Sequence, residues 1–160
     1  MLIPLTRGFS ALVDDTDYEL VAFRKWHALR YQRKDGSELV YACRTEFPDG
    51  KKTLLHMHRV LLSAPPGMEV DHVNGCGIDN RRTNIRLATR SQNGANTLSP
   101  TRPSNSGFRG VRAIGHGYHA LIKGRRIGTY KTAVEAAAVR DAAAIEIFGE
   151  FAILNHAGGS

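Results

Sequence analysis

The sequence predicts an α+β protein made of short antiparallel sheets and few helices. Short runs of alternating apolar and polar residues are separated by turn signals such as Pro48-Asp49-Gly50. Two capping boxes mark the starts of helices, and a segment rich in proline and serine, residues 99–106, divides the chain. With 160 residues, of which 42% are apolar, the chain is long enough to bury a core in one domain or two small ones.

The first segment, residues 1 to about 65, is predicted to form a small antiparallel sheet. Apolar and polar residues alternate over 38–43 and 52–56, and Asp35-Gly36 supplies a further turn signal. Residues 18–23 fit a short helix, which begins after a cluster of acidic residues.

The second segment places a long polar loop between two predicted strands, 68–72 and 84–88. Thr89 and Gln92 form a capping box, which predicts a short helix with Asn93 in its first turn. Loops of this length are costly in conformational entropy and are usually functional. We therefore expect a functional site in the second segment.

The third segment, residues 107–155, is predicted to be a three-stranded sheet backed by one helix. Strands are expected over 107–113, 118–123 and 126–130, and Thr132 with Glu135 caps an alanine-rich helix that ends at Gly149. Helical spacing predicts that one apolar face of this helix packs on the sheet, namely Val134, Ala138, Ala142, Ile145 and Phe148.

Charge points to nucleic acid as the partner. The formal net charge is +7, and residues 102–131 contain seven basic residues and no acidic one. No apolar run is long enough to span a membrane, and the N-terminus lacks the pattern of a signal peptide. Cys43 and Cys76 fit free thiols of a reducing compartment. We therefore expect a cytoplasmic protein of a bacterium or a phage-infected cell, with no membrane partner, no obligate protein partner and a monomeric state.

Residues with site-type chemistry concentrate in the second segment. Asp71 directly precedes His72, and Asn84 and Asn93 follow at the second strand and the helix. A carboxylate beside a histidine can bind a hard cation through oxygen and present the imidazole to a water molecule. On the residues alone, an ordinary hydrogen-bonded Asp-His pair at the surface is the alternative.

The wider pattern resembles the HNH homing endonucleases of phages and prophages. The matching residues are Met57-His58-Arg59, Val70-Asp71-His72, Asn74-Gly75, Asp79 to Arg86, Ala88-Thr89 and Gln92-Asn93. The resemblance implies a ββα-metal nuclease domain over residues 1–98, with its core at about 55–98.

Roles for individual residues follow from this resemblance. His72 is implied as the general base, and Asn84 as the residue that braces the loop and helps to hold His72. Asp71 and Asn93 are implied as ligands of one divalent cation, with Mg²⁺ expected first and Mn²⁺ as the alternative. His58 and Arg59 are candidates for phosphate contacts, and His58 also fits a buried strand residue.

The third segment resembles the plant ethylene-response-factor (AP2/ERF) type of DNA-binding domain. The resemblance rests on Gly107 to Arg112, Tyr118 to Ile122, Ile127 to Tyr130, Thr132 to Ala137, Asp141 to Ala143, Phe148-Gly149 and Leu154-Asn155. It implies that the sheet lies in the major groove of double-stranded DNA. The predicted contact residues are Arg109, Arg112, Tyr118, Lys123, Arg125, Arg126 and Arg140.

Together these resemblances predict a metal-dependent HNH endonuclease of the homing type, targeted to double-stranded DNA by its C-terminal domain. The alternative is a DNA-binding transcriptional regulator in which the HNH part is a non-catalytic scaffold. A nuclease directed at RNA is a third reading, for which the sequence offers no positive feature.

Overall fold

A computed structural model of the chain describes residues 1–33, 36–96 and 105–155. This part is a mixed α/β structure of small antiparallel sheets and few helices. The chain divides into two compact units, Met1–Asn93 and Gly94–Ser160. Asp35 of the predicted turn and residues 99–104 of the predicted linker lie outside the described residues. Within those residues, none of the helices combines the length and apolar character needed to cross a membrane.

The described residues of the first unit form ten strands and α-helices: β1 (Leu2–Pro4), β2 (Ser10–Leu12), α1 (Tyr18–Ala22), β3 (His27–Gln32), β4 (Glu38–Glu46), β5 (Thr53–His56), α2 (Met57–Leu61), β6 (Glu69–His72), β7 (Ile85–Ala88) and α3 (Arg90–Ala95). The strands make antiparallel sheets in the orders β1-β2, β3-β4-β5 and β6-β7. The predicted strands at 38–43, 52–56, 68–72 and 84–88 are confirmed as β4, β5, β6 and β7.

One apolar core supports the first unit. It joins β1, β2, α1, β4, α2 and the β6-β7 pair through buried Ile3, Ala11, Val13, Val21, Trp26, Ala42, Met57, Leu61, Val70 and Ile85. Val70 directly precedes Asp71, and Ile85 directly follows Asn84. The core therefore anchors the two strands that carry the candidate site.

The N-terminal strands also hold the loop between β6 and β7. Leu12 N donates to Ile78 O at 2.8 Å, and Asn80 N donates to Leu12 O at 2.8 Å. Farther along the loop, Arg82 Nε and Nη2 donate to the carboxylate of Asp17 at 2.8 and 2.9 Å. Asp17 is only 3% exposed. Residues 1–17 are thus an integral part of this unit.

The second unit is a three-stranded antiparallel sheet packed against one helix. The strand order is β10-β9-β8, with β8 (Val111–Ile114), β9 (Gly117–Ile122), β10 (Arg125–Tyr130) and α4 (Ala133–Phe148). The predicted capping box is confirmed, because Thr132 accepts from Glu135 N and Glu135 accepts from Thr132 N. Gly110 has a φ of +68°, and a Cβ there would lie 2.7 Å from Leu121 O, so a side chain is excluded.

The predicted inner face of α4 is wrong apart from Phe148. Val134 and Ile145 are 57% and 53% exposed. Small side chains let the helix approach the sheet closely, and two charged residues can be buried beside them because they pair with each other. The buried positions of α4 are Ala136, Ala137, Arg140, Asp141, Ala144 and Phe148.

We expect Arg82→Ala to lower the free energy of unfolding by about 1.5–3 kcal/mol, the range for hydrogen bonds to charged groups. The reason is that the buried Asp17 carboxylate loses both guanidinium bonds. The control is Arg30→Ala, which removes a more exposed pair with Glu38 and should cost clearly less. Urea unfolding measures both, and equal losses would contradict a bracing role for Arg82.

Candidate active site

The β6-β7 pair brings the acid-base residues to one end of a hairpin. Asp71 pairs with Arg86 across the two strands, and His72 pairs with Ile85. Arg86 Nε and Nη2 both lie 2.9 Å from Asp71 Oδ2, which fixes the orientation of the carboxylate. Asp71 and His72 are 3% and 6% exposed. The hairpin thus presents a buried carboxylate and a buried imidazole side by side in sequence.

Asn84 closes the loop that joins these strands. Its Oδ1 accepts from Asn74 N at 3.0 Å, and its Nδ2 donates to Asp79 O at 2.7 Å. The Asp79 carboxylate in turn accepts from Asn74 Nδ2 and from the Arg81 guanidinium. The hydrogen bond from Arg81 is the main reason that the pKa of Asp79 is lowered. The loop between His72 and Ile85 is therefore ordered by its own polar side chains.

Helix α3 brings Asn93 to the first strand of the hairpin. The capping box predicted from the sequence is confirmed: Thr89 N donates to Gln92 Oε1 at 2.8 Å, and Gln92 N donates to Thr89 Oγ1 at 3.3 Å. Asn93 Nδ2 donates to Glu69 Oε2 at 2.6 Å. Glu69 is a site residue that the sequence analysis misses, although its place two residues before Asp71 on one strand gives both residues the same face of the sheet.

A cleft of about 290 Å³ lies beside these residues. Of the predicted site residues it is lined by His58, Arg59 and Asn93; its other lining residues are Tyr31, Tyr41, His56, Glu69 and Val70. The His72 ring packs against two residues that line the cleft. Its centroid lies 5.0 Å from that of the His58 ring and 5.8 Å from that of the Tyr41 ring. Tyr41 comes from a distant strand, and no local sequence signal identifies it as a site residue.

The imidazoles at the cleft are held in the neutral form. Burial lowers the pKa of His58 to about 3, helped by the electrostatic repulsion that a protonated His58 would meet from the side chains of His72, His56 and Arg59. Burial also lowers the pKa of His72, and this effect is opposed by the nearby Asn80 side chain and by the carboxylates of Asp71 and Asp79. A neutral imidazole is the form that can accept a proton from water.

His58 and Arg59 occupy structural positions on α2. His58 is 7% exposed, in a helix rather than in the strand that the sequence suggested as an alternative. The Arg59 guanidinium donates to the carbonyl oxygens of Met68, Ala64 and Pro65 at 2.7, 3.1 and 3.1 Å. It thereby closes the turn before β6. Phosphate contacts by either residue stay a prediction.

In the second unit, the predicted DNA contacts lie on different faces of the sheet, because side chains alternate along a strand. Arg112 pairs with His119 across the strands, and Arg126 pairs with Leu121, so both arginines share the sheet face that is opposite to buried Ala120 and Ile122. Arg125 pairs with Ile122 and belongs to the other face. Lys123 Nζ lies 5.1 Å from the centroid of the Phe148 ring. Arg112 and Arg126 are therefore the pair on the open face.

Two of the predicted DNA contacts, Arg140 and Tyr118, have contacts inside the second unit. Arg140 is 7% exposed, and its Nη1 donates to Asp141 Oδ1 at 3.0 Å and to Ile153 O. Tyr118 shares the register of buried Ala120, and its half-buried side chain packs against the core beneath α4. DNA contacts by either residue stay a prediction.

Arg109 is intermediate in exposure between exposed Arg112 and buried Arg140. Its backbone N donates to Asn155 Oδ1 at 2.6 Å, and its backbone O accepts from Asn155 Nδ2 at 3.0 Å. The side chain is half-buried, and burial together with the charge of Arg140 lowers the pKa of its guanidinium. Asn155 thus fixes the backbone from which the Arg109 side chain projects.

Comparison with known proteins agrees with the geometry of the first unit. Residues 63–95, which include the hairpin, its loop and α3, match the family described as HNH endonuclease. This segment is thus similar to HNH endonuclease domains. A protein of Acanthamoeba polyphaga mimivirus, described as an uncharacterized HNH endonuclease, is 28% identical over 158 residues, which are 93% of this chain and 76% of that relative. No solved structure matches the chain. The ERF-type resemblance of residues 107–155 stays a prediction.

We expect the free energy of unfolding to fall as the pH is lowered from about 8 to 5. An unfolded histidine has a pKa near 6.5, whereas that of folded His58 is about 3. The unfolded chain therefore binds a proton that the folded chain excludes. Stability is complete above pH ~6.5 and declines as the pH falls towards 3. At about 1.4 kcal/mol per pKa unit, protonation of His58 in the unfolded chain lowers the free energy of unfolding by roughly 2 kcal/mol at pH 5.

Urea unfolding of the wild-type protein and of His58→Gln at both pH values measures this contribution. The variant should lose less stability than the wild type on acidification. His116→Gln, at an exposed position, is the control and should behave as the wild type does. The same pH dependence in His58→Gln and the wild type would refute the assignment to His58.

Proposed function

We propose that this protein is a metal-dependent endonuclease that hydrolyses phosphodiester bonds in double-stranded DNA. The observation that carries the proposal is that the HNH family match at 63–95 coincides with the hairpin, loop and helix that position Asp71, His72, Asn84 and Asn93. The relative from the mimivirus bears the name of the same class of enzyme.

The oxygen donors near the cleft fit a hard divalent cation. Asp71 supplies a carboxylate and Asn93 an amide oxygen, and Mg²⁺ prefers oxygen ligands while it keeps several waters. No group of three or more His, Cys, Asp or Glu side chains is arranged to hold a metal within the described ranges. A cation held by Asp71 and Asn93 would thus complete its shell with water and phosphate oxygens. When bound, it would stabilise negative charge on the phosphate and on the leaving 3′ oxygen.

His72 supplies the base in this proposal. Because burial favours the neutral imidazole, His72 can take the proton of a water molecule as the water oxygen attacks phosphorus. The P–O bond to the 3′ oxygen then breaks, and that oxygen is protonated from solvent. Asn84 acts at a distance from the substrate, since its two hydrogen bonds hold the loop that follows His72.

The second unit is proposed to choose the target, so that cleavage is site-specific as in homing enzymes. Arg112 and Arg126 on the open face of the sheet are the supporting feature, because arginine binds guanine in the major groove through two hydrogen bonds. The rival function, a DNA-binding regulator with an inactive HNH scaffold, predicts the same binding without cleavage.

We expect His72→Ala to lower the rate of plasmid nicking in Mg²⁺ by about 10²–10⁴-fold, the usual contribution of a general base. A chelator should abolish nicking by the wild type. His116→Ala, which removes an exposed histidine, is the matched control and should leave the rate unchanged. Nicking by His72→Ala at the wild-type rate would exclude His72 as the base, and an inactive wild type would favour the regulator.

We expect Arg112→Ala and Arg126→Ala to relax the base preference of the full chain. Each substitution removes one arginine–guanine pair of hydrogen bonds, which is worth about 1–3 kcal/mol of discrimination. Lys131→Ala removes an exposed positive charge outside the open face. It should weaken binding to all sequences alike and lower the salt slope by roughly one unit at most. Fluorescence anisotropy with duplex DNA over a salt series separates the two effects. An unchanged preference in both arginine variants would mean that the sheet does not read bases.

A further inference from the structure

Glu69 has no part in the mechanism above, although it lies in the same cleft. It begins β6, and it lines the cleft together with Asn93. Glu69 Oε2 accepts a hydrogen bond from Asn93 Nδ2 at 2.6 Å. Because residues two apart on a strand share a face, Glu69 also lies on the face of Asp71.

The chemistry of the two groups fixes the orientation of the Asn93 amide. An ionised carboxylate can only accept hydrogen bonds, so the amide must turn its nitrogen towards Glu69. The amide oxygen then points away from Glu69. Without Glu69, the carboxamide could rotate by half a turn and offer its NH₂ group, which cannot bind a cation, in place of its oxygen.

We propose that Glu69 is a positioning residue, which orients Asn93 so that Oδ1 is available to the divalent cation. This inference rests on the proposed function, in which Asn93 is a ligand. The hydrogen-bonded partners of metal ligands typically change metal affinity by about 10–100-fold when they are removed. Glu69 therefore belongs to the metal site without binding the metal itself.

The test is calorimetric titration of the full chain with Mn²⁺ in the absence of DNA. Glu69→Ala should weaken Mn²⁺ binding about tenfold or more. Glu69→Gln should stay within about threefold of the wild type, because its amide oxygen accepts the same hydrogen bond. Glu19→Ala removes the same charge from an exposed position of the same unit and should have no effect.

A double variant separates orientation from general support of the fold. Asn93→Asp in the Glu69→Ala background provides a ligand with two oxygens and no wrong orientation. It should recover most of the Mn²⁺ affinity, whereas a purely structural defect would persist. The Mg²⁺ concentration for half-maximal plasmid nicking should change in the same order across the variants.

Three results would overturn the inference. An equal loss of affinity in Glu69→Gln and Glu69→Ala would make the charge of Glu69, as a direct ligand, the important property. An unchanged affinity in Glu69→Ala would remove Glu69 from the site, while nicking by the wild type would leave the proposed function intact. A wild-type protein that neither binds Mn²⁺ nor nicks DNA would refute the inference and the proposed function together.

Discussion

The two hydrogen bonds of Asn84 to Asn74 N and Asp79 O hold together the loop on which the candidate site depends. An open loop between two four-residue strands would leave His72 at a poorly defined end of β6, because such a loop is costly to order. Side-chain bonds within the loop and backbone bonds from Leu12 restrict it from both sides. Polar contacts therefore hold the site residues in place, and the apolar core anchors the two strands that carry them.

Several charged side chains are buried near this loop, and each of those named here has a specific partner. Asp71 is held by Arg86 and Asp17 by Arg82. Some neutral polar groups in this region are buried without one: among the described residues, His58 Nδ1 and both polar side-chain atoms of Asn80 have no hydrogen-bond partner. Unsatisfied polar groups of this kind reduce stability and are often found at functional sites.

Local signals in the sequence predict most of the elements but few of the contacts between them. The strands from β4 onward and both capping boxes follow from alternation and from residue pairs three positions apart, and the structure contains each of them, although β8 begins at Val111 and not at Gly107. The prediction for the inner face of α4 is wrong because alanines, and not the larger apolar residues, lie against the sheet. Arg140 and Tyr118 have the residue types of DNA contacts, and local patterns do not show that Arg140 is buried in an ion pair or that Tyr118 packs half-buried against the core. Tyr41 and Glu69 reach the cleft through pairings that local patterns do not encode.

In the proposed mechanism, Asp71 and Asn93 hold the catalytic cation next to His72. The most direct measurement is an anomalous difference map from crystals of the protein soaked in Mn²⁺. We expect a peak at coordination distance, roughly 2 Å for oxygen ligands of a cation of this size, from the Asp71 carboxylate and from Asn93 Oδ1. A peak at the imidazoles of His56 and His58, with none beside Asp71, would contradict it.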